Sequence, residues 1–230
     1  MARYKEQGKV KTEWSPNFAY AIGLITSDGW LSSDRRHIGL VSKDVEVIKN
    51  IQSALSLTNR ITRAGRGGEI VKKYFKIVFG DKAFYRFLNK IGLTAAKSKT
   101  IRAVETPNKF FSDFLRGLFD GDGSFYSFWD KRWPNSFCFK LSFASASSDF
   151  IGWLKNKLAE LYDVKGYFHK GVGVTNLEYT KGDSKKLFSA MYYSDDVLLL
   201  RRKYLKMKTA IRKDRKLGLE YLQKQRAGLA

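Results

Sequence analysis

The chain has 230 residues, enough for one large domain or two small ones sharing a core. Its 43 Lys and Arg stand against 22 Asp and Glu, a formal charge of +21 that calls for a polyanionic partner, either nucleic acid or an anionic membrane face. A hydrophobic content of 43%, with 17 Phe, 12 Tyr and 5 Trp, provides for a real core and excludes a merely disordered basic tail.

Trp14-Ser15-Pro16-Asn17 opens the first predicted helix, with Ser15 as N-cap and Pro16 at the first helical position. Gly29 stops it, which gives a helix of about 16–28. Strands at 30–33 and 37–42 flank the charged turn Asp34-Arg35-Arg36. Over 44–57, Val45, Ile48, Ile51 and Leu55 fall near helical spacing. Strands at 60–64 and 70–79 join through a glycine-rich turn around 65–68. A helix at 82–91 and a basic connector over 93–106 close this half at Pro107. The order then repeats: a helix at about 109–122, strands at 124–129 and 137–145, an amphipathic helix at 149–162, strands at 165–169 and 174–181, and a helix at 185–193. A long basic helix from about 197 ends the chain. Asp44 and Asp149 are 105 residues apart, and Asp81 and Asp183 are 102 apart. The fold class expected is therefore α+β, a duplicated unit with halves at 1–106 and 107–230.

The two leading helices carry the chemistry. The first ends Ala21-Ile22-Gly23-Leu24-Ile25-Thr26-Ser27-Asp28-Gly29, the second Leu115-Arg116-Gly117-Leu118-Phe119-Asp120-Gly121-Asp122-Gly123. Gly23 with Ser27, and Gly117 with Gly121, put two small residues four apart on one face of each helix. Glycine inside a helix costs about 0.5–1 kcal/mol relative to alanine, and close approach of the two backbones explains it. Such packing brings Asp28 and Asp122 together at the negative ends of two helix dipoles. That arrangement is unfavourable without a cation and suits Mg²⁺, a hard ion that prefers carboxylate oxygens and keeps several waters.

These nonapeptides resemble the LAGLIDADG motif, and from about Ser15 to about Thr209 the chain is similar to single-chain, two-motif LAGLIDADG homing endonucleases. The second motif matches more closely. The first departs at Ala21, Thr26 and Ser27 and keeps Gly23, Leu24, Asp28 and Gly29. The resemblance implies αββαββα units used twice with pseudo-twofold symmetry, the motif helices forming the interface and two antiparallel sheets forming a saddle over the DNA major groove. It implies Mg²⁺-dependent phosphodiester hydrolysis of both strands across the minor groove, leaving short 3′ overhangs. Asp28 and Asp122 match the metal-binding acidic positions, with Thr26 and Gly121 counted in the same metal set. Roughly two or three Mg²⁺ ions are expected, with Mn²⁺ able to substitute. A basic residue near each scissile phosphate is also implied: Lys97, with Lys99 as rival, and Lys203, with Arg202 as rival.

Strand parity counted from the two aspartates marks the open faces of the sheets. Trp30 and Ser32 in the first half, and Ser124, Tyr126 and Phe128 in the second, fall on them, while Phe125 and Trp129 face the core. Phe139, Leu141 and Phe143 alternate inward, leaving Lys140 and Ser142 open, and the 105-residue offset makes Arg35 and His37 their counterparts. Further candidates for DNA contact are Arg60, Thr62, Arg66, Lys72, Tyr74 and Lys76, then His169, Asn176 and Glu178. The run Arg201, Arg202, Lys203, Lys206, Lys208, Arg212, Lys213, Arg215, Lys216, with only Asp214 opposing, suggests phosphate contacts.

Other chemistries are set aside. The single cysteine, Cys138, excludes a disulfide framework and a Cys-rich zinc cluster, and two distant histidines do not suggest a metal site. No apolar run approaches the roughly 20 residues that span a bilayer, and the first residues lack the apolar core of a secretory signal. The leading reading is a site-specific, intron-encoded DNA endonuclease. It acts as a monomer on a long asymmetric duplex, in a reducing compartment such as a prokaryotic cytoplasm or an organelle. The alternative is a non-cleaving binder on the same fold, an intron RNA maturase or a DNA-binding regulator.

Overall fold

The computed structural model describes residues 8–65 and 72–227. The first half runs α1 (Pro16–Ser27), β1 (Gly29–Leu31), β2 (His37–Ser42), α2 (Val45–Ala54), β3 (Thr62–Ala64), β4 (Tyr74–Gly80) and α3 (Lys82–Lys90). A 3₁₀ turn at Lys97–Lys99 follows, and another at Asn108–Phe110 leads into the second half. That half runs α4 (Phe111–Asp122), β5 (Ser124–Trp129), β6 (Phe137–Ser145), α5 (Ser148–Tyr162), β7 (Tyr167–Lys170), β8 (Thr175–Tyr179), α6 (Lys181–Met191) and α7 (Arg201–Ala227). Each half folds its strands into one antiparallel sheet, ordered β1-β2-β4-β3 and β5-β6-β8-β7. The expected α+β class and the duplication are both present.

Local chemistry sets the ends of these elements. The Ser15 hydroxyl accepts from the Phe18 N–H at 3.2 Å, and Asp81 caps α3 by accepting from the Phe84 N–H at 2.9 Å. Helix α5 is capped by Ser147, so Asp149 lies in its first turn and is not the structural counterpart of Asp44, which holds the N-cap position of α2. Helix α6 begins at Lys181, earlier than the sequence suggests, because Thr180 takes the N-cap place and Gly182 in the first turn obscures the start. Helix α7 begins only at Arg201, later than expected. Residues just before it are held outside the helix: the Leu198 carbonyl accepts from Arg116 Nε at 2.8 Å, and the Leu200 N–H donates to Asp120 at 2.7 Å.

Helices α1 and α4 form the centre, with Phe18 to Thr26, Phe111 and Asp113 to Asp120 buried. A β-carbon added at Gly23 would lie 2.2 Å from the Phe114 carbonyl oxygen, and one at Gly117 would lie 2.1 Å from that of Tyr20. The two backbones therefore touch where the glycines permit it. One continuous core runs through both halves, and each fully buried Leu, Ile or Phe in it contributes about 1.5–3 kcal/mol. Arg116, wholly buried, ties α4 to the segment before α7: it donates to Met191 O and Leu198 O and pairs with Asp113 at 2.7 Å. Among the described residues no helix is long and apolar enough to cross a membrane.

Candidate active site

Each motif helix delivers its aspartate at the point where helix turns into strand. Asp28 is the C-cap of α1, its N–H bonded to the Leu24 carbonyl, and Asp122 is the last residue of α4. A β-carbon on Gly121 would sit 1.9 Å from Ser27 Oγ and 3.4 Å from Asp28 Oδ2, so the Asp28 carboxylate lies against the α4 terminus. Asp28, Asp122 and Lys97 line one open cleft together with Trp30, Tyr74 and Lys76 from the first sheet. Desolvation pushes the Asp122 carboxyl pKa up, and Lys203 and Lys97 pull it back down.

The two lysines are placed alike. Lys97 is buried and its Nζ donates to the Gly29 carbonyl at 2.6 Å; Lys203 is buried and its Nζ donates to the Gly123 carbonyl at 2.6 Å. Gly29 and Gly123 are the closing glycines of the two motifs, so one contact recurs in both halves. Burial lowers both ammonium pKa values to about 8, opposed at Lys97 by Asp122 and Asp28, and at Lys203 chiefly by Asp120. Their rivals point elsewhere: Lys99 is exposed, and Arg202 makes a bidentate pair with Asp44 at 2.9 and 2.7 Å. The lysines differ in one respect. Lys203 also donates to Phe119 O at 2.6 Å and Gly121 O at 2.8 Å, so its three donors meet three carbonyls at the end of α4.

Of the wider metal set, Thr26 turns its hydroxyl back to the Ile22 carbonyl at 2.7 Å, and the Gly121 carbonyl accepts from Lys203. Among the described residues no three His, Cys, Asp or Glu cluster as a ready cage. The donor set nevertheless suits a hard divalent ion, which Mg²⁺ sites commonly satisfy with one or two carboxylates, waters and substrate phosphates.

One site residue was not signalled as such by the sequence. Asp120, buried, accepts from the Tyr20 hydroxyl at 2.8 Å and the Leu200 N–H at 2.7 Å, which fixes the start of the helix that carries Lys203. Its other oxygen, Oδ1, is buried without a hydrogen-bond partner. Burial raises the Asp120 pKa to about 6 against contacts with Tyr20, Leu200, Lys203 and Arg116. A folded-state pKa above the unfolded value means that the folded chain binds the proton more tightly. Ionisation therefore removes stability as pH rises from about 4 to 6. Asp120→Asn removes that titration, so its stability relative to the parent should rise by on the order of 2–3 kcal/mol between pH 4 and pH 7.5, on top of a constant cost for burying an amide N–H₂ where Oδ1 has no partner. Urea unfolding at the two pH values checks this, and a difference that does not change with pH contradicts it.

The strand registers place the residues expected to face DNA. On the second sheet, Ser124 faces Ser142, which in turn faces Glu178, Tyr126 faces Lys140, and Asn176 faces His169, all on one side. Phe128 shares that side and stacks on Tyr126 with ring centroids 6.0 Å apart. On the first sheet Trp30, Thr62, Tyr74 and Lys76 share the open side, and Trp30 lies across Gly39. Arg60 and Lys72 are exposed just before β3 and β4, Ser32 lies just past β1, and Arg66 is outside the described residues.

Four expectations are corrected. Counted from the aspartates, the counterparts of Lys140 and Ser142 are His37 and Gly39, an offset of 103 that also separates the N-caps Asp44 and Ser147, whereas 105 pairs Asp44 with the first-turn residue Asp149. Arg35 instead occupies the turn, with a positive φ of 57°. Ser142 is on the open side but buried, with Ser124 Oγ 3.2 Å from its own. Trp129, expected in the core, is exposed at the sheet margin under Lys213, 4.8 Å from its ring. The basic C-terminal run is partly spent internally: Arg202 on Asp44, Lys203 on carbonyls, Lys213 on aromatic rings, while Asp214 pairs with Lys181 and Lys185.

Solved structures share this arrangement. The LAGLIDADG meganuclease I-AabMI, bound to uncleaved DNA, superposes with a TM-score of 0.61 at 13% identity over 90% of this chain and 92% of its own. The meganuclease I-SmaMI, bound to uncleavable DNA, gives 0.60 at 15% identity over 92% and 96%. The chain has the LAGLIDADG fold. The same fold is found in the N-terminal LAGLIDADG domain of DUF199/WhiA, with a TM-score of 0.53 at 15% identity over 80% of this chain and 85% of that one. No family model and no curated protein matches the sequence. Within the LAGLIDADG fold, chemistry is read from the site and not from the architecture.

Proposed function

We propose that the protein is a site-specific DNA endonuclease that hydrolyses both strands of a long, asymmetric duplex with Mg²⁺, for which Mn²⁺ substitutes. The observation that carries this reading is the pair of motif aspartates at abutting helix ends, each half adding a buried lysine on its closing glycine. Bound divalent ions would supply an activated water and charge stabilisation on the attacking and leaving oxygens. Asp28 and Asp122 hold and orient that centre. Lys97, lining the cleft, neutralises charge that builds on the phosphate, and with a pKa near 8 it also exchanges a proton near neutrality. The open sheet faces read base edges while exposed Lys and Arg take phosphates.

The alternative, a non-cleaving binder such as an intron RNA maturase or a regulator, has no use for two lysines buried on motif carbonyls within electrostatic reach of both aspartates. Incubation with a duplex library in Mg²⁺ tests the proposal. Double-strand breaks with short 3′ overhangs in one sequence class, suppressed by EDTA, are expected. Saturable binding to a preferred duplex without any strand break would establish the alternative.

A further inference from the structure

Glu178 is the only carboxylate on the open side of either sheet among the described strand residues. It lies on an interior strand, beside Ser142 and Tyr167. Lys140 Nζ meets its Oε2 at 2.8 Å, and the Tyr126 hydroxyl donates to its Oε1 at 3.1 Å. Burial works to raise its pKa, but the Lys140 and Tyr126 contacts more than offset that, so it stays ionised at neutral pH. A carboxylate on a face that meets a polyanion is repelled by the phosphates unless it accepts from a base. The major groove offers it only the amino groups of cytosine N4 and adenine N6.

In a C·G pair the cytosine amino group and guanine O6 lie one hydrogen bond apart, about 2.9 Å, which matches the spacing of the Glu178 and Lys140 heads. Guanine places O6 and N7 side by side for the ammonium, whereas in an A·T pair the two acceptors, adenine N7 and thymine O4, lie on opposite sides of the amino group and one ammonium meets only one of them. We propose that Glu178 and Lys140 act as one unit that reads a single C·G base pair, Glu178 accepting from cytosine N4 and Lys140 donating to guanine O6 and N7. Tyr126 fixes the second Glu178 oxygen, so the carboxylate is already oriented before DNA arrives. The inference rests on the DNA-binding reading above and adds a base identity to it.

The test selects duplexes from a library randomised along its length, by binding in EDTA so that cleavage plays no part. The parent is expected to enrich a sequence with one fixed C·G pair in the half that meets the second sheet. Glu178→Gln and Lys140→Met should each weaken the C·G preference about tenfold or more at that same pair and nowhere else. The double variant should lose little more than either single one, because the two groups act together. Substitutions that shift affinity equally for all sequences, or that alter different base pairs, overturn the pair reading alone. A library from which the parent enriches nothing overturns it together with the function on which it rests.

Discussion

Asp28→Asn and Asp122→Asn are each expected to cut double-strand cleavage by at least about 10²–10³-fold while leaving duplex affinity within a few-fold of the parent. Asparagine keeps the size of the side chain, and the α1 cap bond from the Asp28 N–H to Leu24 O does not involve the carboxylate. What is lost is one of the two anionic ligands proposed for the metal centre. Removing a negative charge from a surface that meets phosphate does not weaken binding by itself, so the two readouts separate chemistry from recognition. Folding should survive, since desolvation already disfavours the charged form of Asp122. Strand-cleavage rates and a binding titration on one selected duplex check this. Cleavage within tenfold of the parent by both variants would remove the aspartates from the reaction.

The largest effect on stability is expected at the helix crossing. In an open helix position Gly→Ala gains up to about 1 kcal/mol, and Gly152 in α5, with nothing within 4 Å of a built β-carbon, should behave in that way. At Gly117 the added methyl would lie 2.1 Å from the Tyr20 carbonyl oxygen and 3.1 Å from Gly23 Cα. Both obstacles are backbone, so no rotamer change relieves them and α1 and α4 must part. The crossing is the centre of the core, and overpacking there costs about 3 kcal/mol or more. Gly117→Ala should thus lower the unfolding midpoint sharply while Gly152→Ala raises it. A Gly117→Ala protein as stable as the parent would mean that the helices are not held at this distance.

Parting α1 and α4 would also separate Asp28 from Asp122, so the same contact that makes the core makes the site. That link was legible in the sequence, because helical spacing alone places Gly23, Ser27, Gly117 and Gly121 on facing sides and the aspartates one residue beyond. Strands β5 and β6 were legible to the residue, since Phe139, Leu141 and Phe143 alternate with polar positions. The choice of lysine was not. Lys97 and Lys99, or Arg202 and Lys203, are equally basic neighbours, and only the backbone carbonyls of Gly29 and Gly123 distinguish them. The Asp120 network was also hidden. It joins α4 to Leu200, 80 residues later, through a segment with no periodic pattern. The pairing of Arg35 with Lys140 fails because Asp149 looks like a cap in the sequence but lies two residues past the true N-cap Ser147, which adds two to the repeat offset, whereas strand register fixes it at 103.

The central claim is that two carboxylates, one from each half, share a divalent-ion centre on DNA. Titrating Mn²⁺ into the protein–duplex complex, followed by electron paramagnetic resonance, addresses that centre without relying on turnover. The parent complex should take up ions that the Asp28→Asn/Asp122→Asn double variant, bound to the same duplex, does not. Equal uptake by the two complexes would contradict the assignment.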